Sequence, residues 1–415
     1  MKKFLMVILV LAVAAVAMAQ NVSILHTGDT KIGDSTLFTI ASERVMKDYP
    51  KAKLEFLKVD LADGSTLTMD AMLAAGTPPN VYIDTMVRTS KYMVPEFAAP
   101  LQGLLRDVGK YQNGILDPYM RGKDLLGLPS PGGAQGMCIN LDIMDEIGYK
   151  VPANWTIDDF LKMAELVKQK YGGKKWATGM FAANQSGDYL INNWYASFGI
   201  PNFYSDNSYN TAIVAKNGGK KVYEFYLLLD SKGYIPPSSA TLNDDDYAAQ
   251  WYRGQLAATA FFPNWTKGYF DTAASEGLKP FRYSFVPFPR AAGVKKVPTY
   301  FSNGVMLVHK TGTEADKVAA RFIEYVNSAD LQEQLAVAGA VIPNRIDAAG
   351  PTDPHVQEVA QIVKDNGIMD VGLTDPRFTE RRALQFPILQ MVLNRKKAPD
   401  AAIKEYEGKL SAVRL

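Results

Sequence analysis

The sequence predicts an α/β fold in two lobes, and three observations predict it. Strand-length apolar runs alternate with helical stripes from residue 20 onward. A chain of 415 residues is long for one core. Two Gly- and Pro-rich stretches divide it where the backbone would pass between lobes.

The elements follow in order. Val22 to Leu25 is a short apolar run leading into His26-Thr27-Gly28-Asp29, a strand and its exit loop. Leu37, Ile40, Ala41, Val45 and Tyr49 recur at helical spacing before Pro50, and Leu54 to Val59 reads as a second strand. A helix holding Leu67, Ala71, Met72 and Ala75 stops at Gly76, ahead of Pro78-Pro79. Val81-Tyr82-Ile83 then ends in Asp84. This β-α-β-α-β order implies a mostly parallel sheet covered on both faces. Further on, Thr156 and Asp159 have capping-box spacing before Phe160, Met163, Ala164 and Val167. Val222, Phe225, Tyr226 and Leu229 form another stripe, and the later helices carry Val318, Phe322 and Tyr325, then Ile403, Tyr406 and Leu410. The dividing stretches are Leu128 to Gly136 and Val297 to Gly304, although either alone is also compatible with a surface loop. Residues 20–131 with 302–345 are expected to form an N-terminal lobe, and 132–301 with 346–415 a C-terminal lobe.

Ahead of the first strand, Lys2 and Lys3 precede an apolar run from Phe4 to Ala17, closed by Ala17-Met18-Ala19. A charged start, an apolar middle and a small-x-small site predict a cleaved secretory signal over residues 1–19. The run is short for a membrane span. No cysteine follows the site, so release into a periplasm is expected rather than a lipid anchor. Without Lys2 and Lys3 the acids and bases balance, which weighs against nucleic acid as a partner. Cys138 is the sole cysteine, which excludes an internal disulfide, so stability must come from burial.

A secreted α/β chain is compatible with a hydrolase, yet catalytic patterns are missing. There is no Gly-x-Ser-x-Gly elbow, and His26, His309 and His355 are scattered outside any His-Glu-x-x-His pattern. Asp244-Asp245-Asp246 is the one conspicuous acidic cluster, and the first turn of a helix accounts for it. No metal or cofactor is called for. Aromatic residues crowd the second half: Trp194-Tyr195, Phe261-Phe262, Trp265 and Tyr300-Phe301 lie beside amides such as Gln185, Asn192, Asn193 and Asn264. Most belong to a core. Flat rings against the apolar side of a sugar, with amides on its hydroxyls, are the chemistry of carbohydrate capture.

A series of motifs in order then resembles the extracellular solute-binding proteins of family 1, the maltose-binding-protein-like group. Gly28-Asp29-Thr30-Lys31 resembles the family's first binding loop. Ala74-Ala75-Gly76-Thr77-Pro78-Pro79-Asn80-Val81 resembles its Ala-Ala-Gly-x-x-Pro-Asp-Val, with Asn80 in place of the aspartate. Pro152 to Phe160 resembles its Pro-x-Thr-Trp-Asp-Glu-Phe helix start, and Trp251 to Ala258 its Phe-x-x-Gly-Lys-Ala-Ala-Met. Gly339 to Arg345 resembles its late Gly-x-x-Pro-x-Arg turn. The resemblance implies a periplasmic binding protein-like fold, two α/β lobes joined by hinge crossovers with a ligand cleft between them, and no catalysis.

It also implies ligand-binding residues. Asp29 and Lys31 would come from the first βα loop, Asp84 and Arg88 from the end of the third strand, and Gln135 from the first crossover. Gln185, Tyr189 and Trp194 would come from the second lobe, with Asn264 and Trp265 matching the family's Gly-x-Trp. Asn303 would lie at the second crossover and Arg345 near the returning chain. Strand carboxyl ends are where open α/β sheets bind ligands, which supports the first four independently. Arg88 and Arg345 are equally compatible with plain ion pairs, and Trp194 with the core. The implied function is the substrate-binding component of an ABC importer. It captures a mono- to oligosaccharide by lobe closure and delivers it, as a monomer, to the membrane permease subunits. A non-sugar solute such as a polyol phosphate or polyamine, a secreted carbohydrate-active enzyme, and a ligand-presenting partner of a chemoreceptor stay open as alternatives.

Overall fold

The structure is a computed structural model. It describes residues 21–59, 64–112, 114–130, 132–183, 187–200, 214–302, 304–337, 341–369 and 377–413. The expected signal segment, Gln185 and Asn303 lie outside the described residues. The chain forms two compact units. Unit one runs to Gly132 and takes in Ser302–Gly350; unit two is Gly133–Phe301 with Pro351–Leu415.

Unit one starts with β1 (Asn21–His26), α1 (Leu37–Asp48), β2 (Lys53–Lys58), α2 (Gly64–Ala74), β3 (Val81–Thr85) and the short β4 (Leu128–Pro129). The alternation seen in the sequence is thus the alternation of the fold. Thr36 caps α1 by accepting the Thr39 amide at 3.3 Å, and Leu37, Phe38, Ala41 and Val45 are its buried face. Asn80 ties the starts of β1 and β3 together, its Oδ1 accepting from the Ser23 amide at 3.0 Å. The loop therefore keeps its hydrogen bonding with an amide where the family has a carboxylate.

Unit two contributes β5 (Gly136–Asn140), α3 (Ile157–Tyr171), α4 (Asp188–Ser197) and α5 (Lys220–Ser231). Next come α6 (Asp244–Tyr252), β6 (Ala258–Phe261), α7 (Pro263–Ser275) and β7 (Tyr283–Val286). Its sheet is antiparallel in the order β6–β5–β7, with every residue of β5 buried. The capping box at α3 is formed as its spacing predicts: Thr156 accepts from the Asp159 amide and Asp159 accepts from that of Thr156. Asp244, Asp245 and Asp246 occupy the first turn of α6, where they complement the helix dipole. All ten residues of α4 are buried, including Asn192, Asn193 and Ser197.

The chain then returns to unit one with β8 (Gly304–Val308), α8 (Glu314–Val326) and α9 (Ala329–Val337). The completed sheet has the order β2–β1–β3–β8–β4. β1 is parallel to β2 and β3, whereas β8 is antiparallel to β3 and β4. The reversal follows from the path: Gly304 pairs with Thr85, so the chain re-enters at the end where β3 leaves and must run backwards. α8 buries Val318, Ala319, Phe322 and Ile323 in this unit. Unit two ends with α10 (Pro354–Asn366), α11 (Phe378–Arg382), α12 (Gln385–Leu393) and α13 (Pro399–Ala412). Glu358 of α10 accepts the Phe285 amide at 2.8 Å, which satisfies a backbone donor on the edge strand β7. Among the described residues no helix is long and apolar enough to cross a membrane.

Candidate functional site

Each unit carries one concentration of candidate groups. In unit one, β1 and β3 end side by side, and their exit loops open a cleft of about 190 Å³. Gly28 and Asp29 line it from the first loop, Asp84 and Thr85 from the second, and Ser130 and Gly304 from the returning strands. Leu37, Phe38, Met306 and Val341 add apolar surface. Asp29 Oδ1 accepts the Thr30 amide at 2.8 Å and the Phe38 amide at 3.1 Å, so the carboxylate also satisfies an amide in the first turn of α1. Asp84 is 2% exposed and fixed from several sides. It accepts from the Tyr82 hydroxyl at 3.0 Å, the Thr85 amide at 2.6 Å and Arg88 at 3.3 Å. Gly304 lets the strands approach closely here: a Cβ would come within 2.3 Å of Ser130 Oγ and 3.2 Å of the Asp84 carbonyl.

In unit two the candidates close a circuit. Gln135 is fully buried, and its Oε1 accepts from Asn193 Nδ2 at 2.6 Å. The same Nδ2 donates to the Tyr189 carbonyl at 2.6 Å, one helical turn back on α4. The Tyr189 ring stands at 87° to Trp265 at 5.6 Å; Trp265 lies 4.6 Å from Phe262, and Phe262 lies 6.3 Å from Tyr300. The Tyr300 carbonyl accepts the Gln135 amide at 3.0 Å, completing the circuit. Two buried polar atoms within it, Gln135 Nε2 and Asn193 Oδ1, have no hydrogen-bond partner among the described residues. Buried amides are normally satisfied, so these two atoms are a donor and an acceptor that the described residues leave unused. Trp265 is 38% exposed while its three aromatic neighbours in the circuit are buried, so its ring is the one open to solvent.

The buried charge beside the unit-two circuit is paired within the protein. Asp188, at the start of α4, is buried and held bidentately by Arg382 at 2.5 and 2.9 Å. Burial pushes the Asp188 carboxyl above its usual range, and the guanidinium opposes that shift. Burial also raises the Tyr300 hydroxyl, with Asp188 adding to it, so the phenol is neutral and able to donate. Among the described residues no group of His, Cys, Asp and Glu is placed to hold a metal ion.

The sequence model of the bacterial extracellular solute-binding proteins matches residues 28–333. The chain belongs to this family. No curated protein matches the sequence of this solute-binding protein. Solved structures do resemble it. The GacH receptor of Streptomyces glaucescens, known unliganded and with acarbose, aligns with a TM-score of 0.73 at 14% identity, covering 96% of this chain and 100% of that one. A chitin oligosaccharide binding protein gives 0.75 at 18% identity over 95% and 98% of the two chains. The sugar-binding protein MalE of Xanthomonas citri gives 0.74 at 16% identity over 95% and 97%. The solute-binding protein therefore has the two-lobed α/β fold of the periplasmic binding proteins.

The residues singled out in the sequence are distributed unevenly. Asp29 and Asp84 meet in the unit-one cleft, and Arg88 is paired with Asp84. Lys31 is exposed on a short hairpin (Lys31–Ile32 with Ser35–Thr36) and does not line that cleft. Gln135, Tyr189 and Trp265 meet in the unit-two circuit, with Asn264 exposed beside Trp265 on α7. Trp194 is buried among Phe160 at 5.2 Å and Phe225 at 4.7 Å. Arg345 is 5% exposed and bound to Asp347 through two contacts of 2.8 and 2.7 Å. Gln185 and Asn303 lie outside the described residues. Asn193, Phe262 and Tyr300 belong to the circuit without having been singled out. Their signal was present in the aromatic doublets and the Asn192-Asn193 pair, but nothing local separates them from ordinary core.

Proposed function

We propose that this protein is the substrate-binding component of an ABC importer and that its solute is a neutral carbohydrate, captured outside the cytoplasmic membrane and handed to permease subunits. The observation that carries the reading is the unit-two circuit, where aromatic rings stand beside a buried amide donor and acceptor left unspent. That combination matches a sugar, whose ring has an apolar face and whose hydroxyls both donate and accept. The sugar names of the solved relatives support it. Charge balance supports a neutral solute over a polyol phosphate: Arg88 is paired with Asp84, Arg345 with Asp347 and Arg382 with Asp188, which leaves these guanidiniums committed.

Capture by closure requires a ligand to touch groups on both lobes, since only differential contact shifts a conformational equilibrium. Asp29 and Asp84 in unit one and Gln135, Tyr189 and Trp265 in unit two are the groups we assign to it. A Kd near micromolar, about −8 kcal/mol, is the expected scale. Titration with maltotriose, chitotriose and glucose, followed by tryptophan fluorescence and by calorimetry, tests this. At least one sugar class should bind stoichiometrically and reduce the radius of gyration in X-ray scattering. Silence toward every sugar class, with a charged metabolite co-purifying in mass spectra, refutes the carbohydrate assignment; sustained turnover of a glycoside refutes the transport reading.

A further inference from the structure

β1 ends in a residue that packing alone does not call for. Val22, Ile24 and Leu25 are fully buried, and His26 follows them at 5% exposure. Its ring lies 5.1 Å from Phe38 and 6.0 Å from Phe56, near perpendicular to both, and Phe38 and Phe56 each contact Phe322. A leucine or phenylalanine would fill this phenyl-lined space without the cost of burying an imidazole. The polar handle is used on one atom: Nδ1 lies 3.1 Å from the Gly28 carbonyl. A carbonyl only accepts, so the contact requires the proton on Nδ1.

The Gly28 carbonyl belongs to the loop that lines the unit-one cleft. The space a Cβ would occupy at Gly28 is open, and glycine is the residue with the most backbone freedom to lose, so a hydrogen bond to its carbonyl restrains the loop at its most adaptable point. The remaining ties run in a closed path. Asp29 Oδ1 accepts the Phe38 amide at 3.1 Å, and the Phe38 ring returns to His26 at 5.1 Å. His26, Gly28, Asp29 and Phe38 therefore hold one another, with the cleft on one side and the phenyl cluster on the other.

We propose that His26 is a positioning residue for ligand capture: as a neutral imidazole protonated on Nδ1 it donates to the Gly28 carbonyl, and it thereby fixes the Thr27–Thr30 loop that presents Asp29 to the cleft. Burial lowers the affinity of this imidazole for a second proton; the Gly28 bond and Asp29 oppose that effect, and Lys58 adds to it. The ring therefore favours the neutral form. The inference rests on the carbohydrate reading only for its effect on affinity; the tautomer and the loop contacts stand apart from it.

The test uses the full chain with His26→Phe, which keeps an aromatic ring but has no donor, and His26→Asn, whose amide nitrogen can take the place of Nδ1. Imidazole nitrogen shifts in the wild type should report the Nδ1-protonated tautomer. In His26→Phe the Phe38 and Thr30 amides should exchange about tenfold faster while Ile24 and Leu25 stay protected, and His26→Asn should restore most of the protection. With maltotriose as probe, His26→Phe should bind about tenfold more weakly than wild type and His26→Asn close to it. An Nε2-protonated tautomer in the wild type, or unchanged Phe38 and Thr30 exchange in His26→Phe, overturns the proposal. Should His26→Phe fail to fold, the wild-type tautomer and the His26→Asn exchange rates decide it. A wild type silent toward maltotriose, chitotriose and glucose alike counts against the carbohydrate reading, and the tautomer and exchange results still decide the role of His26.

Discussion

Replacing Arg382 by methionine should destabilise unit two severely, and the geometry sets the scale. Asp188 is 1% exposed, and Arg382 reaches it with two donors at 2.5 and 2.9 Å. Removing the guanidinium strands a buried carboxylate, which typically costs about 3–5 kcal/mol. Asparagine at 188 in the same background has no charge to strand, so Asp188→Asn/Arg382→Met should recover about half of that loss or more. The acid response has a definite sign. A buried carboxyl without its partner binds a proton more readily folded than unfolded, so stability falls as pH rises through its raised pKa. The deficit of Arg382→Met against wild type should therefore narrow as pH is lowered from 7 toward 4. Urea unfolding followed by tryptophan fluorescence is the appropriate assay, because Trp155, Trp176, Trp194, Trp251 and Trp265 all belong to unit two. An Arg382→Met variant within about 1 kcal/mol of wild type, or a double variant no more stable than the single one, would refute the argument.

Three further outcomes follow from the structure. Trp265→Ala should weaken sugar binding by about tenfold or more while moving the melting temperature little, since the ring is 38% exposed; equal losses of affinity and stability in calorimetry and thermal unfolding would contradict it. Gly304→Ala should cost about 1–3 kcal/mol in thermal unfolding, because a Cβ would press on Ser130 and on the Asp84 carbonyl 3.2 Å away. His309, stacked on Phe97 at 4.8 Å, has its pKa lowered by burial against the pull of Asp316. Its contribution is complete above a pH of about 6.5 and is lost as pH falls through the lowered folded value, so His309→Gln should flatten the melting profile on the acid side of neutrality.

Much of unit one was legible because its elements are local. The apolar period of β1, α1, β2 and β3 is visible in short windows, and the strand-end rule brought Asp29 and Asp84 into one cleft before any geometry was known. The partner of β3 was harder to see. β8 is strand-like in sequence, but nothing nearby reveals that it runs antiparallel between β3 and β4. In unit two, α4 is buried all round, so the contrast between polar and apolar faces that makes a helix readable is lost. Its Asn193 meets Gln135 across 58 positions of sequence, and each looks like an ordinary polar residue until the fold joins them. Arg345 shows the converse: its partner Asp347 is two residues away, but only the turn between them reveals that the guanidinium is already engaged.

The late arrival of β8 also sets a timetable for the newborn chain. Val22, Ile24, Leu25 and Val81 are fully buried in the finished sheet, yet the strand that closes β3 is translated only after the whole first stretch of unit two. At roughly 5–20 residues per second, the gap between Thr85 and Val308 lasts on the order of ten to forty seconds. Throughout that interval the ribosome-bound amino-terminal half holds an unfinished hydrophobic edge, which gives holdase chaperones a prolonged opportunity to engage it before tertiary structure locks.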